Sequence, residues 1–164
     1  MVGRGLWIAV AGALWLVVAA PALSEDFRSG LSAYNRGDHV AAFRQWLALA
    51  ERGDAKAQAG LGYLFHKGLG VAVDDVEAAH WLEKAARQGQ AEGQMLLGTL
   101  YLDGRGVAQS DALAFVWCEL AQSEGQEEAS FCRDEALRRL GAEAMAESRR
   151  LVAEWSCRFG RGGR

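Results

Sequence analysis

Two consecutive blocks of 36 residues in this chain resemble each other without a gap. Residues 55–90 read AKAQAGLGYLFHKGLGVAVDDVEAAHWLEKAARQGQ, and residues 91–126 read AEGQMLLGTLYLDGRGVAQSDALAFVWCELAQSEGQ. Small, apolar and aromatic residues recur at fixed positions, among them Leu61-Gly62 with Leu97-Gly98, Gly68 and Gly70 with Gly104 and Gly106, Asp75 with Asp111, and Trp81 with Trp117. Self-similarity at a period of this length is typical of stacked repeats.

Each block predicts two helices joined by a glycine-containing turn. In the first block they cover about 55–67 and 74–88, with apolar residues at helical spacing. Asp74 with Glu77 resembles a capping box, and Ser110 is the equivalent cap in the second block. Gly62 and Gly98 fall inside helices, where glycine costs about 1 kcal/mol relative to alanine. We therefore expect close contact with a partner helix at both positions.

The same pattern extends in both directions. It predicts an all-α fold of about eight helices in four hairpins, at about 25–53, 54–89, 90–125 and 126–157, followed by a flexible tail at 158–164. One hairpin cannot bury its apolar side alone, so neighbouring hairpins must stack into a solenoid. Tryptophan occurs once in each hairpin and is expected in the core, at Trp46, Trp81, Trp117 and Trp155.

These residues resemble the Sel-one-like repeat (SLR) family, which is related to the tetratricopeptide repeats. The first block carries the fuller pattern, with Ala55, Ala57, Gln58, Leu61, Gly62, Gly68, Gly70, Val71, Asp75, Ala78, Trp81, Lys84, Ala85, Ala86 and Gly89. The second block departs from it at Gly93, Leu120 and Gln122. The resemblance covers about 27–155 and implies a right-handed α-solenoid that mediates protein–protein interaction, without a fixed partner or a catalytic residue.

In tetratricopeptide-like stacks the first helix of each hairpin lines the concave face. Carried over to this chain, that geometry implies a partner-binding face that binds a protein or peptide. Its residues would be Lys56, Ala59, Tyr63, His66 and Lys67 in one repeat, and Glu92, Met95, Thr99, Leu102 and Asp103 in the next. The two repeats differ most at these positions, which suits a surface free to specialise.

Residues 1–24 are typical of a cleaved signal peptide. Arg4 gives a positive end, residues 6–20 form an apolar run, and the small residues around Pro21 form an exit, with cleavage after Ala22 or after Ser24. The alternative is an uncleaved membrane anchor, but the run is shorter than the roughly 20 residues that a spanning helix needs. We therefore expect an exported protein, periplasmic or secreted, with no stable membrane insertion after cleavage.

Three cysteines occur in the expected mature chain, at Cys118, Cys132 and Cys157. An exported protein meets an oxidising compartment, where one intramolecular disulfide can form. Cys118 lies seven residues before Gly125 and Cys132 seven residues after it, so both thiols would lie level on antiparallel helices. Cys132 and Cys157 would be offset by about 10 Å. The sequence therefore predicts a Cys118–Cys132 bridge.

The sequence carries no recognised catalytic or metal-binding pattern. Ser-x-x-Lys, Gly-x-Ser-x-Gly, His-Glu-x-x-His and Cys-x-x-Cys do not occur. His39, His66 and His80 lack metal-ligand spacing, and the Asp74-Asp75 pair is interpreted as helix capping. We expect no cofactor and no enzyme activity. A formal charge of −3 also argues against a nucleic-acid partner.

The favoured function is therefore an exported adaptor that binds a protein or peptide. One alternative is a binder of a cell-envelope ligand such as a peptidoglycan fragment. A second alternative is an enzyme with an unrecognised site, since some exported cysteine-rich SLR proteins have been linked to β-lactam binding. The sequence identifies neither the partner nor the oligomeric state.

Overall fold

The computed structural model describes residues 26–159, and every regular element in that range is an α-helix. The prediction of an all-helical fold is confirmed for these residues. The helices are α1 (Phe27–Asn35), α2 (His39–Glu51), α3 (Ala55–Lys67), α4 (Asp75–Arg87), α5 (Ala91–Asp103), α6 (Asp111–Ser123), α7 (Ala129–Arg139) and α8 (Ala142–Phe159). The predicted signal peptide at 1–24 lies outside the described residues. None of the described helices is long and apolar enough to cross a membrane.

Short polar side chains cap the first turns of α4 and α6. Asp74 accepts a hydrogen bond from the backbone N–H of Glu77 at 3.0 Å, and Ser110 caps α6 as expected. The capping box is wrong in its second half, because the N–H of Asp74 donates to the carbonyl of Phe65 and not to the Glu77 side chain. In the second repeat, the backbone N–H of Ser110 likewise donates to the carbonyl of Tyr101. The main chain therefore closes this turn in both repeats.

Glycine inside α3 and α5 allows the second helix of each hairpin to approach closely. A Cβ placed on Gly62 would lie 2.5 Å from Cγ of Leu82, and one on Gly98 would overlap with the sulfur of Cys118. Leu82 and Cys118 are both fully buried. The close contact expected from the sequence is therefore present in both hairpins.

The second glycine of each Gly-x-Gly turn joins one hairpin to the hairpin before it. Gly70 has a φ of +71° and lies against the backbone of His39, at the start of α2. Gly106 has a φ of +69° and lies in the same way against the backbone of Asp75, at the start of α4. A side chain at either position would meet both an unfavourable backbone conformation and an occupied space. Glycine therefore recurs at this position because the hairpins could not stack as closely with any other residue there.

Buried glutamines make a second inter-hairpin contact of the same kind. Gln58 donates from Nε2 to the carbonyl of Ala50 at 3.0 Å, and Gln94 donates to the carbonyl of Ala86 at 3.2 Å. Each carbonyl lies near the end of a helix, where backbone acceptors lack a partner within the helix. The glutamine that both repeats share therefore donates a hydrogen bond to a carbonyl at the end of the preceding hairpin.

Trp46 is out of register with the later tryptophans. It lies eight residues after the cap Asp38, as Leu82 lies eight residues after Asp74, whereas Trp81 follows Asp74 by seven. Trp46 and Trp81 therefore do not occupy equivalent positions. Trp46 is 4% exposed and fills the space over Gly30 and Gly60, so it occupies the core position of Leu82 with a larger ring.

A disulfide joins α6 to α7. It links Cys118 and Cys132, whose Cα atoms are 6.1 Å apart, as predicted from the sequence. Cys157 is free and exposed. The two bonded cysteines are separated by 14 residues, the same interval that separates Trp46 from Gly60, which pack together at the first junction. The bridge therefore occupies a recurring contact between successive hairpins.

The last helix departs from the hairpin pattern. α8 packs chiefly against α6, and its contact with α7 is slight, so 126–157 does not form the side-by-side pair that was expected. Trp155 and Phe159 pack on the ring of Trp117, with centroid distances of 4.9 and 6.0 Å. α8 also continues to Phe159, beyond the predicted end of the domain at 157. The remaining tail residues, 160–164, lie outside the described range.

Candidate functional site

In the middle of the stack, helices α3, α5 and α7 lie closer together than helices α2, α4 and α6 do. α3 packs against α5 and α5 against α7, whereas α4 makes at most slight contact with α2 and α6. A stack whose helices are closer on one side curves toward that side. Helices α3, α5 and α7 therefore line the inner side of this part of the stack. The odd-helix face is the name that we give to seven accessible side chains on the odd-numbered helices, namely Leu31, Lys56, Tyr63, Glu92, Met95, Thr99 and Phe131.

Most of the predicted partner-binding residues are accessible on α3 and α5. The exposed ones are charged: Lys56, Lys67, Glu92 and Asp103. The half-buried ones are Tyr63, His66, Met95 and Thr99. The structure brings these side chains onto neighbouring helices, so that a partner lying across the stack could touch several of them together.

Leu102 and Ala59 do not belong to an accessible face. Leu102 is only 5% exposed and packs in a cluster with Phe115 and Cys118, and Ala59 is 1% exposed. Their assignment to the binding surface is therefore wrong. The physical reason is that Leu102 lies close to the following helix, where an apolar side chain is withdrawn from water.

His66 is held by a contact with Asp75, which also pairs with Arg105. Its Nδ1 lies 2.7 Å from Oδ1 of Asp75, and Oδ2 of Asp75 accepts from Arg105 at 2.9 Å. Burial alone would raise the pKa of Asp75, but the contacts with His66 and Arg105 outweigh it and hold that pKa below its ordinary value. Asp75 was interpreted with Asp74 as a capping residue, but only Asp74 caps the helix.

An aromatic and acidic cluster spans three successive odd-numbered helices. The rings of Tyr34 and Tyr63 lie 6.2 Å apart, edge to face. The hydrogen bond to Tyr63, burial and the nearby charge of Glu92 raise the pKa of Tyr34. Glu92 is exposed as a residue, yet its neighbours displace enough water to raise the pKa of its carboxyl. This cluster offers ring faces, hydroxyl groups and an acid to a single ligand.

Besides Leu31, Phe131 is a residue of this face that the sequence reasoning missed. It is 74% exposed on α7, the largest exposure among the exposed large apolar side chains of the described residues. The repeat period could have identified it, because Phe131 lies 36 residues after Met95. Extending the alignment by one further block would have placed it on the same face.

The odd-helix face is suited to binding and carries no recognisable reaction centre. Its hydroxyl groups and its carboxylate are not joined to a nucleophile with a positioned base, which covalent catalysis requires. Within residues 26–159, no cluster of histidine, cysteine, aspartate and glutamate could hold a metal ion. Aromatic and long apolar side chains beside charges are instead typical of protein interfaces.

Comparison with known proteins agrees with the helical-repeat fold. The sequence profile of the Sel1 repeat matches residues 55–90 and 91–125. The chain carries two Sel1 repeats. These Sel1 repeats coincide with the hairpins α3–α4 and α5–α6, where the glycine and glutamine contacts recur. The search of curated proteins found no match.

Solved structures similar to this chain have the same fold. One is a protective antigen present in uropathogenic Escherichia coli strains, described as displaying an SLR fold. It is 25% identical, with a TM-score of 0.78 over 82% of this chain and 30% of that one. Another is a Sel1 repeat protein from Oxalobacter formigenes, 31% identical, with a TM-score of 0.60 over 68% of this chain and 49% of that one. The chain therefore spans less than half of either protein.

Proposed function

We propose that this chain is an exported adaptor that binds a protein or peptide along the odd-helix face, without catalysing a reaction. The observation that carries the proposal is the set of aromatic and apolar side chains on that face, where Phe131 is 74% exposed and Tyr63 is half-buried. Tyrosine and other aromatic residues supply much of the binding energy at protein interfaces. Sel1 repeats commonly mediate such interactions, which supports the same function.

Further support for a binding function comes from comparing equivalent positions in the two repeats. Residues that join the hairpins recur in both repeats, such as Gln58 with Gln94 and Gly70 with Gly106. On the odd-helix face, by contrast, Lys56 is replaced by Glu92. Stacking therefore constrains one side of each helix, while the other side is free to fit a particular partner.

Export is part of the proposal and rests on the signal-like residues 1–24. An N-terminal sequence of the purified protein that begins at residue 23 or 25 would support it, together with recovery from the periplasmic fraction or the medium. A protein that keeps its first residues and stays in the cytoplasm would contradict it.

A crosslinked pull-down from envelope extract, analysed by mass spectrometry, tests the binding function. We expect one dominant protein partner, whose yield falls when Tyr63→Ala or Phe131→Ala is introduced. Val76→Ala is the matched control, because Val76 is 65% exposed but lies on an even-numbered helix. Equal loss with the control would contradict the odd-helix face. Retention of glycan without protein would instead favour an envelope ligand such as a peptidoglycan fragment.

A further inference from the structure

A groove of about 380 Å³ opens between α7 and α8, with α6 as its floor. It shares no lining residue with the odd-helix face and lies among the last three helices of the described chain. Its lining is Phe115 and Glu119 from α6, Arg133 and Leu137 from α7, and Arg149 and Val152 from α8. The volume falls within the usual range for pockets that hold small ligands or single side chains.

The groove exists because α7 lacks the residues that accept a close partner helix. Leu61 and Gly62 of α3 correspond, two repeats later, to Arg133 and Asp134 of α7. Gly62 lets Leu82 pack at close range, whereas Arg133 and Asp134 form an ion pair at 2.6 Å. A charged pair at this position cannot be covered by an apolar helix at low cost. α8 packs on α6 instead, and the space beside α7 stays open.

The groove combines an apolar floor with one available cation. Phe115 is 6% exposed and Leu137 is 42% exposed, so apolar surface lines the floor and one wall. Arg133 is already engaged by Asp134, and Glu119 lies 3.8 Å from the same guanidinium. Arg149 makes no hydrogen bond or ion pair among the described residues, and it lies three residues before Val152, on the same side of α8.

We propose that this groove binds the C-terminal residue of a peptide, with its α-carboxylate on Arg149 and its apolar side chain against Phe115 and Val152. A guanidinium matches a carboxylate through two parallel hydrogen bonds. A C-terminal residue carries its carboxylate and its side chain on the same α-carbon, which matches the short spacing between Arg149 and Val152. The site is independent of the odd-helix face and of the adaptor function proposed for it.

A titration followed by ¹⁵N NMR tests this site on the purified protein. The probe is a pentapeptide of four alanines and a C-terminal leucine, used as the free acid and as its C-terminal amide. We expect saturable shifts at the amides of residues 133–137 and 149–152 with the acid, and binding at least about fivefold weaker with the amide. Equal binding of acid and amide would overturn the proposal.

Two arginine variants give the matched comparison. Arg149→Gln should weaken binding of the acid at least about fivefold. Arg150→Gln should leave it unchanged, because Arg150 is engaged by Glu147 at 2.6 Å and does not line the groove. Equal effects of the two variants would contradict the assignment of Arg149. Stronger binding of an acetylated, amidated peptide with an internal aspartate would also overturn it in favour of an acidic side chain.

Discussion

Arg105 reaches back from the turn after α5 and donates from Nε to Oδ2 of Asp75 at 2.9 Å, joining one hairpin to the hairpin before it. The other carboxylate oxygen of Asp75 faces His66. A related pair occurs one repeat later, where Arg139 lies 3.7 Å from Asp111. An acid in the first turn of an even-numbered helix therefore meets an arginine of the next hairpin at the second and the third junction.

This network predicts a pH dependence of stability. Since the pKa of Asp75 is lowered in the folded chain, its contribution is present above the ordinary aspartate pKa of about 3.9 and is lost as the pH falls through the lower folded value. Asp75→Asn should therefore be less stable than the parent at pH 6, and the difference should shrink toward pH 2. Urea unfolding at several pH values measures this. Asp103→Asn, on the exposed end of α5, should show no such convergence.

The junction glycine predicts a large steric effect. Gly106→Ala would strain a left-handed backbone and overlap the carbonyl of Asp75, so we expect a loss of about 2 to 4 kcal/mol in the free energy of unfolding. Gly125→Ala is the matched control, because Gly125 also has a positive φ but nothing lies within 4 Å of an added Cβ. It should lose only the conformational part, about 1 kcal/mol. Equal losses in thermal or urea unfolding would exclude the stacking role of Gly106.

An unsatisfied amide predicts a stabilising substitution. In the first repeat, Oε1 of Gln58 accepts from Gln88 at 2.7 Å, whereas Oε1 of Gln94 has no hydrogen-bond partner in the described structure. The residue equivalent to Gln88 is Glu124, whose carboxylate cannot donate. Glu124→Gln should therefore add about 1 kcal/mol to the free energy of unfolding in urea.

The control for this substitution is Glu127→Gln. It removes the same charge from an exposed position nearby. If both variants change stability equally, the effect comes from charge and not from a hydrogen bond to Gln94. The reciprocal change, Gln88→Glu, should destabilise the chain, because Gln58 would lose its donor.

The disulfide predicts a redox-dependent stability. Reduction, or the double substitution Cys118→Ala with Cys132→Ala, should lower the free energy of unfolding by about 3 kcal/mol, because the bond closes a loop of about 15 residues in the unfolded chain. Urea unfolding with and without a reductant measures the loss. Cys157→Ser should keep the same response to the reductant, since Cys157 is free and exposed. A parent protein indifferent to reduction would show that the bridge does not stabilise it.

The repeat alone predicts most of the architecture. Residues 55–126 indicated the helices, the turns and the close contacts of Gly62 and Gly98, because each repeated residue meets the same neighbour in each copy. The Cys118–Cys132 pairing followed from helix rise in the same way. Local pattern is sufficient where every contact is made within one repeat or between adjacent repeats.

The ends of the stack were harder to predict. The side-by-side pairing of α7 and α8 was expected from their order in the chain, but Arg133 and Asp134 make the facing side of α7 polar and α8 packs elsewhere. Leu102 was placed on the surface because family geometry identifies a face but not the depth of each side chain. Both errors concern competition between neighbouring helices for apolar surface, which a single repeat does not encode.

The recurring contact between successive hairpins takes a different chemical form at each junction. At the first it is a ring over a glycine, Trp46 on Gly60; at the second Leu82 and Leu96 line one small void; at the third it is the cystine. The positions correspond residue for residue, so the same contact can be made by different pairs of residues. Substitutions at these positions can change the stability of the stack without altering the exposed side chains. Stability and partner specificity can therefore evolve separately.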